Sequence, residues 1–148
     1  MKLNFKNILD TLKIVGEYLF PVKKIISKFT KINSKEDLQK FVQERSAHVT
    51  QTTLYNYLKT RIGTRYTAMI EDEKFSESIN IAKWNIYVVS ISDLTLYVFS
   101  YLIDQKNLKK NDAEEVFNNI IDIETKNGLD EKISLQAKNE FLLKIKKI

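Results

Sequence analysis

The sequence predicts an all-α protein, a single domain over residues 1–148 in which four to six helices pack around one apolar helix at about 78–104. Three observations support this fold class. The chain has only three glycines and one proline, too few for the many turns of a β-sandwich or barrel. Its apolar residues recur at steps of three and four, the spacing of one helix face. Its 43% hydrophobic and 29% charged residues are typical of a folded domain with one core.

The first predicted element, residues 1–31, is an amphipathic helical segment. Pro21 removes a backbone donor and clashes one turn back, so we expect two helical pieces, about 5–19 and 21–31, kinked or separated at that residue. Asp10 and Glu17 interrupt the apolar run that a secretory signal would need. The apolar stripe of the segment consists of Phe5, Ile8, Leu12, Val15, Leu19, Val22, Ile26 and Phe29.

The net charge of the protein lies in this same segment. Its seven lysines and two acidic residues give +5, whereas the rest of the chain has 17 basic and 17 acidic side chains. Such a segment suits an anionic membrane surface or an acidic protein partner, although its stripe can also simply pack on the domain. The sequence therefore predicts a cytoplasmic protein, peripheral at the inner face of the membrane, with no nucleic-acid-binding motif. The lysines are Lys2, Lys6, Lys13, Lys23, Lys24, Lys28 and Lys31.

A long second helix is predicted from Ser34 to Ile62. Ser34 can cap its start, Asp37 can reach back as in a capping box, and Gly63 can end it. The three-and-four spacing gives this helix an inward stripe that is apolar at both ends and polar in the middle. The stripe reads Leu38, Phe41, Arg45, His48, Thr52, Tyr55, Leu58 and Ile62.

The third long helix, about 78–104, is the most apolar part of the chain and follows an acidic loop at 71–75. Between Trp84 and Ile103 its only formal charge is Asp93. Twenty residues are enough to span a bilayer, but a carboxylate at the midplane costs about 2.5–3.5 kcal/mol even on insertion scales. We therefore favour a central helix of a bundle over a membrane span.

Two shorter helices are predicted at the C-terminal end. Asn111 or Asp112 can cap the first, and Gly128 can end it. The second covers about 130–147 and ends in basic residues, which favour a helix C-terminus. Their predicted buried stripes are Ala113, Val116, Phe117, Ile120 and Ile121 in the first, and Ile133, Ala137, Phe141 and Ile145 in the second.

The polar middle of the second helix is the candidate site. Because buried polar groups need partners, we expect Arg45, His48 and Thr52 to meet Asp93 of the apolar helix. Three interpretations stay open: a structural ion pair, a small catalytic or ligand-binding site, or a His48 that faces water. Ser90, Ser92 and Thr95 could complete such a network.

Most familiar catalytic chemistries are excluded by residue counts. The chain has no cysteine and one histidine, which excludes thiolate zinc sites, iron–sulfur clusters and multi-histidine metal sites. Glycines at only 16, 63 and 128 exclude the Gly-x-Ser-x-Gly elbow and the glycine-rich phosphate loops. A triad would have to combine His48 with Asp93 and a serine such as Ser92. We therefore predict no metal, no cofactor and a non-enzymatic protein, with a small esterase-like hydrolase or ligand-binding bundle as the alternative.

Residues 38–103 resemble a family of small, largely uncharacterised alphaproteobacterial helical proteins, some of which carry an "esterase" label. The resemblance implies that the second and third helices are the part of the chain to examine for function. It assigns no catalytic residues in this chain. Its marks are the run His48-Val49-Thr50-Gln51-Thr52, Leu54-Tyr55, Gly63-Thr64-Arg65-Tyr66, the acidic pair at 71–72, Asn80-Ile81-Ala82-Lys83-Trp84 and Ser92-Asp93-Leu94.

Overall fold

Helices form every regular element in residues 32–106 and 108–147, which are the residues that the computed structural model describes. The predicted all-α fold is confirmed. The segment 1–31, with its predicted break at Pro21, lies outside the described residues. The elements are α1 (Lys35–Ile62), a 3₁₀ turn (Gly63–Arg65), the single turn α2 (Tyr66–Met69), α3 (Glu73–Lys106), α4 (Lys110–Lys126) and α5 (Glu131–Ile145).

Both ends of α1 are fixed by local chemistry. The Ser34 hydroxyl accepts a hydrogen bond from the Asp37 amide at 3.1 Å. The Asp37 carboxylate accepts from the amide of Asn33 at 3.1 Å, one residue before the expected Ser34. Gly63 ends the helix with φ +66° and ψ −142°, a region that side chains with a Cβ rarely enter. The predicted boundaries of this helix are confirmed.

Helix α3 begins at Glu73, earlier than the predicted start at about residue 78. The Asp72 carboxylate accepts from the Phe75 amide at 2.9 Å, so the acidic stretch caps the helix instead of forming a loop. The helix contacts α1, α4 and α5. The most apolar helix is therefore central to the bundle, as predicted.

The start of α4 also differs from the prediction. Asp112 lies inside the helix, where its carboxylate accepts from the Lys109 amide at 2.7 Å, so the cap is Lys109 and not Asn111 or Asp112. Gly128, at φ +106°, follows the end of α4. Asp130 then caps α5 by accepting from the amides of Lys132 and Ile133.

The core lies where α3 meets the other three long helices. The predicted stripe of α4 is fully buried, and the rings of Phe117 and Phe141 stack between α4 and α5 with centroids 4.0 Å apart. On α5, Ala137, Phe141 and Ile145 are buried and Ile133 is half-buried. Helix α1 runs antiparallel to α3, since Gln43 lies beside Tyr87 whereas the earlier Leu38 lies near the later Val98.

Candidate functional site

The residues of the predicted polar centre do not form a buried cluster. His48 and Thr52 are exposed, and Arg45 is half-buried with its guanidinium carbon 5.6 Å from the ring centroid of Phe41. The Asp93 side chain is 65% exposed, and its carboxylate accepts from the ammonium group of Lys144 at 3.0 Å. The predicted burial of Arg45, His48, Thr52 and Asp93 as one polar centre is therefore wrong, whereas a ligand-binding role for them stays a prediction.

The error lies in the choice of helix face. The buried positions of α1 recur mainly every four residues, whereas the predicted stripe alternated steps of three and four. Each four-residue step advances about 40° around the helix, so the buried face turns around α1 along its length. His48 and Thr52 lie away from that face. The buried residues are Leu38, Val42, Ser46, Ala47, Thr50, Leu54 and Leu58.

The side chains of Ser92 and Asp93 bond to α5, and not to the polar residues of α1 as predicted. Lys144 donates to the Ser92 hydroxyl at 3.2 Å as well as to the Asp93 carboxylate. Ser92 is 6% exposed, whereas Asp93 faces outward. The two neighbours thus tie the middle of α3 to the end of α5 through one lysine at the surface.

The polar cluster that the structure does bury surrounds Glu124 of α4. Glu124 is fully buried, and one of its carboxylate oxygens accepts from the Tyr87 hydroxyl at 3.1 Å and from the Gln43 amide at 3.2 Å. The other oxygen accepts from Asn127 at 3.2 Å. These bonds join α1, α3 and α4 at one point, which favours a structural role in fixing helix register.

The Tyr87 hydroxyl is well suited to donate a hydrogen bond to Glu124. Its burial and the nearby Glu124 carboxylate raise the pKa of the Tyr87 hydroxyl far above its usual range. The hydroxyl therefore keeps its proton for the hydrogen bond to Glu124. The sequence contained a signal for this cluster, because Glu124 follows Ile120 and Ile121 by four and three residues and so continues the buried stripe of α4.

Two buried hydroxyls in the described residues have no hydrogen-bond partner. They are Ser46 Oγ on α1 and Thr95 Oγ1 on α3. Thr50, by contrast, donates to the Ser46 carbonyl at 2.8 Å. Unpaired buried hydroxyls are destabilising, so these two positions are informative for stability tests.

An apolar groove opens between the start of α1 and the end of α3. Its volume is about 600 Å³. Lys35 at its rim is bound to Asp112 and, at 3.1 Å, to Glu115 of α4. The bond to Asp112 raises the pKa of Lys35 and lowers the pKa of Asp112. The groove is lined by Ile32, Asn33, Ser34, Lys35, Leu38, Phe41, Tyr97, Val98, Tyr101, Leu102 and Leu108.

The outer face of α3 continues from this groove and is uncovered by the described residues. Tyr97 is 74% exposed and Tyr101 61%, and Val89 and Ile81 are about half exposed. Among the described residues one helical stretch, Glu73–Ile103, is long and apolar enough to cross a membrane. Its 18-residue apolar window has a mean hydropathy of 1.7, and 33% of that window is buried. A core helix of a soluble protein passes the same test. The exposed positions recur every four residues along α3, and the polar residues Asn85 and Asp93 lie between the apolar ones.

No group of three or more His, Asp or Glu side chains in the described ranges could hold a metal ion. A comparison with protein-family models, curated proteins and solved structures gives no match. The resemblance of residues 38–103 to the alphaproteobacterial family therefore stays a prediction.

Proposed function

We propose that this is a non-enzymatic helical protein that associates with an anionic membrane face through its basic segment 1–31. One observation carries the proposal: the whole net charge of +5 lies in these 31 residues, on the same stretch as an eight-residue apolar stripe. A basic amphipathic helix binds anionic lipid by burying its apolar face and by electrostatic attraction. The inner face of a bacterial membrane is the surface that we propose.

Co-sedimentation with lipid vesicles tests the proposal. The full chain is incubated with vesicles of neutral phosphatidylcholine, or of phosphatidylcholine with phosphatidylglycerol, at about 0.05 M and about 0.5 M salt, where the Debye length falls several-fold. We expect binding only to the anionic vesicles and mainly at low salt. Replacing Lys6, Lys13, Lys24 and Lys28 with glutamine removes about 1 kcal/mol each, so the affinity should fall by about two to three orders of magnitude.

A matched variant separates the effect of charge in this segment from the effect of the net charge of the whole protein. Replacing four exposed lysines of the bundle, Lys40, Lys59, Lys132 and Lys146, with glutamine makes the same change in net charge. Binding of this variant should stay within a few-fold of the unmodified protein. Equal losses in the two variants would show that the segment is not the anchor, and would contradict the proposed function.

A further inference from the structure

The groove between α1 and α3 opens at the point where residues 1–31 join the bundle. Ile32, the first described residue, itself lines the groove together with Phe41, Tyr97 and Tyr101. We propose that this groove and the adjoining outer face of α3 bind the apolar stripe of the chain's own segment 1–31. The proposal concerns the protein free of membrane and does not depend on the proposed function.

The length and direction of the chain favour this occupant. A segment that turns back from the start of α1 runs antiparallel to α1, as neighbouring helices with short connections do, and so parallel to α3. Two helical pieces over 5–29 cover about 37 Å at 1.5 Å per residue. The exposed apolar positions of α3, from Ile81 to Tyr101, cover about 30 Å on the same measure. The segment is therefore long enough to cover them.

The charges on the two surfaces are complementary. The exposed positions of α3 between Ile81 and Tyr101 carry one formal charge, Asp93. With residue 32 at the Tyr101 end of the groove, a parallel segment brings Lys23 and Lys24 alongside Asp93. The Asp93 carboxylate is still 65% exposed while bound to Lys144, so it can accept a second cation. The remaining lysines would face solvent.

Distances between pairs of spin labels test the docking in the full chain without lipid. Because the protein has no cysteine, labels can be placed on cysteines introduced at chosen pairs of positions. In the proposed register Glu17 lies beside Asn85 and far from Ser100. We expect a narrow distribution for Glu17→Cys with Asn85→Cys, on the order of 10–20 Å, since packed helices lie about 8–10 Å apart. For Glu17→Cys with Ser100→Cys we expect about 25–30 Å, because Ser100 lies about 22 Å further along α3 than Asn85.

The tyrosines of the groove provide the matched comparison. Tyr97→Gln with Tyr101→Gln should broaden the Glu17–Asn85 distribution, whereas Tyr57→Gln, an exposed tyrosine of α1 outside the groove, should leave it unchanged. Broad distributions for both label pairs in the unmodified protein would overturn the proposal. A short distance in a mixture of chains labelled only at Glu17→Cys and only at Asn85→Cys would show that a second copy occupies the groove, and would also overturn it.

Discussion

Glu124 shows how a single residue holds this bundle together. It is fully buried and accepts hydrogen bonds from Tyr87, Gln43 and Asn127. These donors come from two other helices and from the residue that follows α4. A buried carboxylate that is well bonded specifies one packing arrangement, because any other leaves the carboxylate without donors.

Replacing Glu124 with alanine should lower the free energy of unfolding by about 2–4 kcal/mol, since it leaves a cavity and unpaired buried donors. Glu124→Gln keeps the shape and one carbonyl oxygen, so its loss should be clearly smaller. Urea denaturation followed by circular dichroism measures both. An alanine variant as stable as the unmodified protein would contradict the structural role of this cluster.

Replacing Thr95, whose hydroxyl is unpaired, should raise the free energy of unfolding, whereas replacing Glu124 should lower it. Thr95→Val removes a buried group that has no partner among the described residues, so it should stabilise the protein by about 0.5–1 kcal/mol. Thr50→Val is the matched control, because its hydroxyl donates to the Ser46 carbonyl at 2.8 Å, and it should destabilise by about 0.5–1.5 kcal/mol.

Thermal unfolding distinguishes the two valine variants, since 1 kcal/mol shifts the midpoint by a few degrees in a domain of this size. The midpoint should rise for Thr95→Val and fall for Thr50→Val. A fall for both would show that the Thr95 hydroxyl has a partner, such as a bound water.

The buried face of α1 could not be predicted from the spacing of apolar residues alone. Ser46 and Thr50 are buried, whereas Phe41, Tyr55 and Ile62 are only half-buried. The apolar residues therefore favoured a stripe beside the true one, which placed His48 and Thr52 inward. Glu124 could have been predicted, because it continues the regular stripe of α4.

At the scale of elements, the capping residues determined how accurately the first and last residues of each helix could be predicted. The start of α1 followed from Ser34 and its end from Gly63, where one residue type has a specific backbone role. The starts of α3 and α4 were placed late, because Asp72 and Asp112 can each serve as a cap or as a first-turn acceptor. Local chemistry alone does not distinguish these two uses of an aspartate.

The hydrogen bond from Tyr87 to Glu124, which helps to join α1, α3 and α4, should make the free energy of unfolding fall at alkaline pH. The pKa of Tyr87 is raised by burial, so the folded state keeps its proton at a pH where the unfolded state, with a tyrosine pKa near 10, loses it. The stabilising contribution is complete below about pH 10 and is lost as the pH rises above 10. We expect the urea midpoint to fall between pH 9 and pH 11.

Tyr87→Phe isolates this effect from other groups that titrate in the same range. The variant should be less stable at pH 8, because Glu124 loses a donor, but its midpoint should fall less steeply above pH 10. Parallel slopes for the two proteins would show that Tyr87 is not the group responsible.

At the scale of the whole molecule, two surfaces compete for the same apolar stripe. The net charge of +5 lies in residues 1–31, and the described bundle leaves the groove and the outer face of α3 uncovered. If the stripe packs on α3 in solution and on lipid at a membrane, each surface lowers the apparent affinity of the other. Docking that occupies about nine-tenths of the molecules would weaken membrane binding about tenfold.

This competition predicts that weakening the groove strengthens membrane binding. Tyr97→Gln with Tyr101→Gln changes no charge and should free the segment, so the affinity for phosphatidylglycerol vesicles should rise by up to about tenfold. Tyr57→Gln should leave the affinity unchanged, because Tyr57 lies outside the groove. A lower affinity of the double variant would mean that Tyr97 and Tyr101 contact lipid themselves, and an unchanged affinity would mean that the segment does not compete for the groove.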